Sequence, residues 1–198
     1  MRMKAVIAAC LLAVAAPALA AAPDTAVPPA AAPAKPDLTK AARLDWLFAA
    51  LKAAPTEADA KQIESRIWSE WLASGDRNID VLMAEALTAM EHRLFTAALY
   101  YLTTIVEAKP DYIEGWNKRA TVYFMIDDYK HSIEDIARTL ALEPRHFGAL
   151  AGLGMIMINT GNKASALKAF ERAYAVDPYL ANGKQVIETL KAALGRDI

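Results

Sequence analysis

The 198-residue chain has little of several residue types on which other classes of protein depend. A single cysteine excludes a disulfide scaffold and a zinc site built from thiolates. The 22 Lys and Arg residues balance 23 Asp and Glu residues, whereas a nucleic-acid-binding protein needs a basic excess on one face. We therefore expect no nucleic-acid partner. Only eight glycines are present, and β-branched residues are sparse beside Ala, Leu, Glu and Lys, which favours helices over strands.

The N-terminal segment has the pattern of a secretory signal. Two basic residues precede an uncharged run from Ala5 to Ala16, and small residues follow as far as Ala20. We predict a signal peptide at residues 1–20 and a periplasmic or secreted protein after cleavage near Ala20. An uncleaved anchor is the first alternative, although the apolar run is shorter than the roughly 20 residues of a bilayer crossing. A lipoprotein signal ending at Cys10 is the second, with five residues left for its apolar core.

Residues 21–37 contain five prolines among alanines. Proline removes backbone donors and favours extended polyproline II geometry, while alanine offers little apolar surface to bury. This composition predicts a disordered, semi-stiff linker that acts as a spacer.

From Leu38 onward, apolar residues recur at steps of three and four, which predicts helices. Pro110, Pro144 and Pro178 are spaced by 34 residues, and each follows a helical pattern. Between these prolines the pattern divides into two helices, joined near Asp127 and near Gly161. The sequence therefore predicts a helix–turn–helix unit of 34 residues that repeats.

These units resemble the tetratricopeptide repeat (TPR) family, whose pattern has small residues where helix A crosses helix B and a proline at the end. The small positions are occupied by Ala120, Gly154 and Ala166. The chain departs from the pattern at Arg119, where the family usually has leucine, and at the turn Arg93-Leu94, which lacks glycine. The resemblance implies an all-α fold, a right-handed α-solenoid of three repeats.

The rest of the chain completes the predicted organisation. Residues 38–76 keep the helical period but lose the motif, so they form either a degenerate repeat or an N-terminal cap. With a capping helix at the C-terminus, nine helices are expected. The four tryptophans, Trp46, Trp68, Trp71 and Trp116, are expected in the core. The segments are a signal peptide (1–20), a linker (21–37), a degenerate hairpin (38–76), repeats (79–112, 113–146 and 147–180) and a capping helix (181–198).

No combination of residues points to catalysis, to a cofactor or to a metal. His131, Glu134 and Asp135 lie on one helix face at metal-ligand spacing, but a solvated face is the expected interpretation. The glycines at 152 and 154 lack the preceding strand that a phosphate-binding loop needs, and are better explained by close helix packing. We expect a protein that is not an enzyme and contains no transmembrane segment in its mature chain.

The resemblance implies that the A helices line a concave groove. The family's groove positions also include Glu114 and Gly148. Four methionines fall on this set, and methionine is common on surfaces that accept varied apolar partners. Packing between adjacent A helices is the alternative explanation. The candidate groove residues are Met83, Leu87, Met90, Asn117, Thr121, Phe124, Met125, Met155, Ile158 and Asn159.

Two functions are compatible with this sequence. The first is an exported adaptor that holds a peptide or helix of a partner protein of the cell envelope in the groove. The second is a structural protein that associates with copies of itself through its end helices. A concentration-dependent mass distinguishes them, because only the second predicts oligomers without a ligand.

Overall fold

A computed structural model describes residues 39–196, a range that contains nine helices and no strand. The all-α solenoid expected from the 34-residue period is confirmed. The predicted signal peptide and linker, residues 1–20 and 21–37, lie outside the described residues. The helices are α1 (Lys40–Lys52), α2 (Glu57–Leu72), α3 (Arg77–Glu91), α4 (Phe95–Ala108), α5 (Ile113–Met125), α6 (Tyr129–Leu142), α7 (Phe147–Asn159), α8 (Lys163–Val176) and α9 (Gly183–Arg196).

Side-chain caps define where most of these helices begin. The Asp76 carboxylate accepts hydrogen bonds from the first turn of α3, and the Asp128 carboxylate does the same for α6. Asn162 caps α8 through its side-chain oxygen, and the His146 ring caps α7. A cap satisfies backbone N–H groups that have no partner inside the helix. The turn chemistry thus fixes the 34-residue register independently of the core.

The three turns between helix A and helix B share one conformation. Arg93, Asp127 and Gly161 have φ angles of 58°, 61° and 80°, and they lie 34 residues apart. After α3, Leu94 N–H donates to the Ala89 carbonyl and Arg93 N–H donates to the Met90 carbonyl, and the other two turns repeat this pattern. This Schellman motif needs a left-handed residue. Arg93 therefore takes a position that glycine would fill with less strain.

The small residues allow the two helices of a repeat to lie close together. A Cβ atom on Gly154 would stand 2.6 Å from two ring atoms of Phe170, so α7 and α8 meet with no room for a side chain. In the second repeat, the Ser132 hydroxyl donates to the Ala120 carbonyl at 2.8 Å. Helix α9 closes the array with Ile187 and Leu190, which pack against the cluster of the third repeat.

The N-terminal hairpin α1–α2 has its own apolar cluster, which is continuous with the third repeat. Leu47, Leu51 and Ile67 are buried together with Phe147, the first residue of α7. Trp46 corrects an expectation. It is 49% exposed rather than part of the core, and the Arg66 guanidinium lies 5.2 Å from its ring centre. Among the described helices, none has the length and apolarity that a membrane crossing requires.

Candidate functional site

The ten candidate groove residues differ in how far solvent reaches them. Five are buried, four are half-buried and one is exposed. The buried residues are Met83, Met90, Asn117, Thr121 and Met155; the half-buried residues are Leu87, Phe124, Met125 and Ile158; Asn159 is exposed.

Three of the four groove methionines pack inside the protein. Met83 and Met90 belong to the core of the first repeat, and Met155 belongs to the cluster that joins α7, α8 and α9. Each is at most 5% exposed. They therefore fill space between helices. The joint role of all ten residues in binding stays a prediction.

The accessible part of the set forms what we call the groove strip: Leu87, Phe124, Met125, Ile158 and Asn159. These residues lie toward the C-terminal ends of α3, α5 and α7, the A helices of the three repeats. Phe124 and Ile158 pack against one shared cluster, so the strip has a firm base. The strip therefore offers half-exposed apolar side chains in three successive repeats.

The polar end of the strip is held in place by Tyr129. The Asn159 amide donates to the Tyr129 hydroxyl at 3.0 Å, and that hydroxyl donates to the Asp127 carboxylate at 2.6 Å. The Tyr129 ring also lies 5.9 Å from the ring of Phe124. Asn159 keeps its side-chain oxygen for an acceptor role, which suits the backbone N–H groups of a bound peptide.

The hairpin α1–α2 covers the other end of the A helices. The Trp68 ring lies over Gly148, where a Cβ atom would be 2.8 Å from Trp68 Cη2. The Trp71 ring stacks on the His146 ring, with centres 4.0 Å apart and an interplanar angle of 11°. Phe147 packs edge-on against Trp68 at 5.5 Å. Since Gly148 occupies a groove position of the repeat, the hairpin lies against the face that the resemblance assigns to a ligand.

A buried polar network lies directly beneath these tryptophans. The fully buried Glu114 carboxylate accepts hydrogen bonds from His146 Nε2 at 2.7 Å and from Asn117 Nδ2 at 3.1 Å. His146 Nδ1 accepts from the Ala149 N–H, so the ring hydrogen is on Nε2. Burial pushes the pKa of Glu114 up, but the Lys118 charge and the two hydrogen bonds outweigh it and hold that pKa at about 2. Glu114 is therefore ionised.

Lys118 links the network to the hairpin. Its ammonium lies 3.5 Å from the Glu114 carboxylate and 5.0 Å from the centre of the Trp68 ring. A desolvated ammonium gains about 2 kcal/mol or more from such a ring. The network was not predicted from the sequence. The available signal was a Glu–Lys pair at i,i+4 on a helix face of small and apolar residues.

Peripheral contacts tie down the edges of the hairpin. The Arg145 guanidinium binds the Asp45 carboxylate at 2.6 Å and lies 4.3 Å from the centre of the Phe48 ring. At the other side, the Tyr179 hydroxyl donates to the Ala54 carbonyl at 2.7 Å. The hairpin is thus anchored to the second and third repeats at several points.

The residues considered for metal binding have other partners. Arg119 donates two hydrogen bonds to Asp135, at 2.7 Å and 2.9 Å, which ties α5 to α6. This pair also accounts for the arginine found where the family usually has leucine. His131 Nδ1 lies 2.7 Å from the Asp128 carboxylate. Across residues 39–196, no three His, Cys, Asp or Glu side chains are placed so that they could hold a metal ion.

Comparison with known proteins identifies sequence relatives of this chain. A TPR repeat-containing protein of Rhizobium etli is 40% identical over 152 residues, which cover 77% of this chain and 74% of the relative. Small glutamine-rich tetratricopeptide repeat-containing protein 2 of Mycosarcoma maydis is 25% identical over 97 residues. That match covers 49% of this chain and 28% of the fungal protein. No family model matches the chain.

Solved structures share the arrangement of helices. The first TPR of Spaghetti (RPAP3), bound to an HSP90 peptide, superposes with a TM-score of 0.56 at 19% identity, over 59% of this chain and 93% of that domain. A crystal structure of MamA has a TM-score of 0.56 at 22% identity, over 69% of this chain and 84% of the other. The TPR2B domain of yeast Sti1 in complex with Hsp70 has a TM-score of 0.55 at 17% identity, over 60% of this chain and 99% of that domain. At these identities the likeness concerns the fold.

Proposed function

Because the chain belongs to the TPR repeat-containing proteins, we propose that it is a non-enzymatic adaptor whose concave face binds a peptide or a helix of a partner protein. The observation that carries the proposal is the groove strip, with half-exposed apolar side chains at equivalent ends of three successive A helices. Two neighbours in fold support it, since one was solved with an HSP90 peptide and another in complex with Hsp70.

The strip has the chemistry of a site for an amphipathic segment. Phe124, Met125 and Ile158 supply apolar area, worth about 25 cal/mol per Å² when a partner covers it. Asn159 and the Tyr129 hydroxyl supply polar groups at one end, which would fix the register of the bound segment. Exposed apolar positions in a row usually mark an interaction site in a soluble protein.

We test the strip with surface substitutions rather than with the buried methionines. Met125→Gln combined with Ile158→Gln should reduce partner capture several-fold in a quantitative pull-down from the envelope fraction of the source cells. Tyr100→Gln is the matched control, because Tyr100 is 69% exposed and lies on α4, a B helix. Equal capture by all three stably folded proteins would refute the strip as the site.

The envelope part of this proposal depends on the signal pattern at residues 1–20. We expect the exported protein to begin at Ala21, which an intact-mass measurement checks directly. A product that retains Cys10 with added lipid mass would replace the soluble exported form with a lipid-anchored one.

Self-association is a second candidate, and one observation favours it. Val81, Leu94 and Tyr100 of the first repeat are all more than half exposed. Such a patch suits contact between copies through the N-terminal end of the array. Sedimentation over a hundredfold range of concentration tests this, and a monomer throughout would eliminate it.

A further inference from the structure

The hairpin α1–α2 sits on a recess with a definite shape and chemistry. We call this recess the aromatic cradle and define it by Glu114, Lys118, His146, Phe147 and Gly148. Two tryptophans spaced i,i+3 on α2 enter it. One ring stacks on His146, and the other lies over Gly148 with the Lys118 ammonium 5.0 Å from its centre.

The contact between hairpin and array is imperfectly paired. In the described part of the chain, the buried side-chain atoms without a hydrogen-bond partner are Glu64 Oε1, Trp71 Nε1 and Asp177 Oδ2. Two belong to α2, and the third lies in the turn after α8, whose neighbours Val176 and Tyr179 pack on the hairpin. Leaving a buried polar group unpaired costs about 1–3 kcal/mol. The hairpin contact therefore carries a cost that the repeat-to-repeat contacts do not show.

Glu64 and Asp177 add repulsion to this cost. Burial raises the pKa of Glu64 to about 7, and the negative charge of Asp177 raises it further. Burial also raises the pKa of Asp177 to about 6, although the Tyr179 N–H partly opposes this. Lys61 on α2 attracts Glu64 and lowers its pKa, whereas Glu57 has the opposite effect. Two facing carboxyl groups with free oxygens weaken the docked state once both are ionised.

The connection between the hairpin and the first repeat allows movement. Helix α2 ends at Leu72 and α3 begins at Arg77, so only residues 73–76 join them. Gly75 in this link has a φ angle of 76°, and no heavy atom lies within 4 Å of the place a Cβ would take. The link is short, exposed at Gly75 and not packed against the array at that residue.

We propose that the hairpin is a releasable internal occupant, and that the aromatic cradle is a second binding site for an amphipathic helix with two aromatic residues at i,i+3. The ligand class follows from the cradle. A flat ring fits between His146 and the hairpin position, and the missing side chain of Gly148 admits a second ring. An aliphatic side chain would gain neither the stacking nor the Lys118 interaction. This goes beyond the proposed function, and its tests use no natural partner, so the two can fail separately.

The first test measures release in the unmodified chain. Native-state hydrogen exchange should show α1 and α2 opening together, with an opening equilibrium constant at least tenfold larger than that of α5 to α8. Exchange of the hairpin and the array in one common global event would overturn the proposal, because the hairpin would then have no released state of its own.

The second test supplies a ligand in trans to the full chain. The probe is a dye-labelled synthetic peptide with the sequence of residues 57–73, followed by fluorescence anisotropy. The variant Trp68→Ala/Trp71→Ala vacates the cradle and should bind the probe at least tenfold more tightly than the wild type does. A probe with both tryptophans replaced by alanine is the control and should bind neither protein. Equal affinity for wild type and a folded variant would overturn the proposal.

A milder variant covers the case in which the double substitution prevents folding. Asp45→Asn with Tyr179→Phe removes the ion pair to Arg145 and the hydrogen bond to Ala54, but leaves the cradle intact. We expect a two- to tenfold gain in probe affinity from the weaker docking. No gain, in a protein with wild-type exchange in α5 to α8, would count against a releasable hairpin.

Discussion

The sharpest prediction concerns one glycine at a helix crossing. Replacing Gly154 with alanine adds a single methyl group at the contact between α7 and α8. That methyl would lie 2.6 Å from the Cδ2 and Cε2 atoms of Phe170, closer than real side-chain atoms approach. Phe170 is 5% exposed and part of a packed cluster, so its ring has little space to move.

The expected magnitude follows from two opposing effects. Alanine improves the helix by about 0.5–1 kcal/mol relative to glycine, while overpacking a core typically costs about 1–3 kcal/mol. We therefore expect Gly154→Ala to lower the free energy of unfolding by about 1–2 kcal/mol. For a domain of this size the Tm should fall by about 2–4 °C per kcal/mol. Gly154→Leu should cost more, and several times more than Lys163→Leu at an exposed site.

The chain offers a matched control for this substitution. Gly195 also lies in a helix, but no heavy atom stands within 4 Å of its Cβ position. Gly195→Ala should therefore leave stability unchanged or raise it by at most about 0.5 kcal/mol. Urea unfolding of both variants, followed by circular dichroism, provides the comparison. Equal or greater stability of Gly154→Ala would refute the close crossing and with it the assigned register of the repeats.

Three further predictions address a turn, an ion pair and pH. Arg93→Gly should raise the free energy of unfolding by about 1 kcal/mol in urea, because glycine adopts the left-handed φ of 58° without strain; a loss of stability would contradict that turn. Arg119→Leu restores the usual family residue but leaves buried Asp135 unpaired, so it should cost about 1–3 kcal/mol, and Asp135→Ala should recover part of the loss in the same unfolding assay. Because the pKa values of Glu64 and Asp177 are raised, to about 7 and about 6, the stability they contribute is present below about pH 4 and declines through pH 6–7. Hydrogen exchange of α2 should therefore be faster at pH 8 than at pH 5 after correction for the intrinsic rate, and Glu64→Gln should reduce this difference; an unchanged difference would remove Glu64 from the account.

The repeat architecture was predictable because its signals are local and periodic. Helices α5 and α7 begin at Ile113 and Phe147, the first residues of the two units predicted from the proline spacing. Gly154 was expected at a helix crossing, and its contact with Phe170 has that geometry. Caps and turns at a fixed spacing determine such features without any knowledge of distant contacts.

The position of the hairpin was not predictable in the same way. Its helical period shows which residues are apolar, but not which surface they cover. Trp46 and Trp71 have the same residue type and lie in the same hairpin, yet one is half-exposed under Arg66 and the other is fully buried on His146. That difference depends on long-range contacts between α2 and α7. The burial of Met83 and Met155 likewise depends on neighbouring helices rather than on their repeat position.

The most direct measurement of the central claim is site-specific photo-crosslinking of the full-length protein in its own cells. A photoreactive residue is placed at position 125 in the groove strip, and in a second protein at position 100 on α4. Binding in the strip predicts a specific crosslinked partner from position 125, lost when Phe124 and Ile158 are changed to Gln, and none from position 100. A partner crosslinked from position 100 but not from position 125 would contradict the account and place the interface on the B helices.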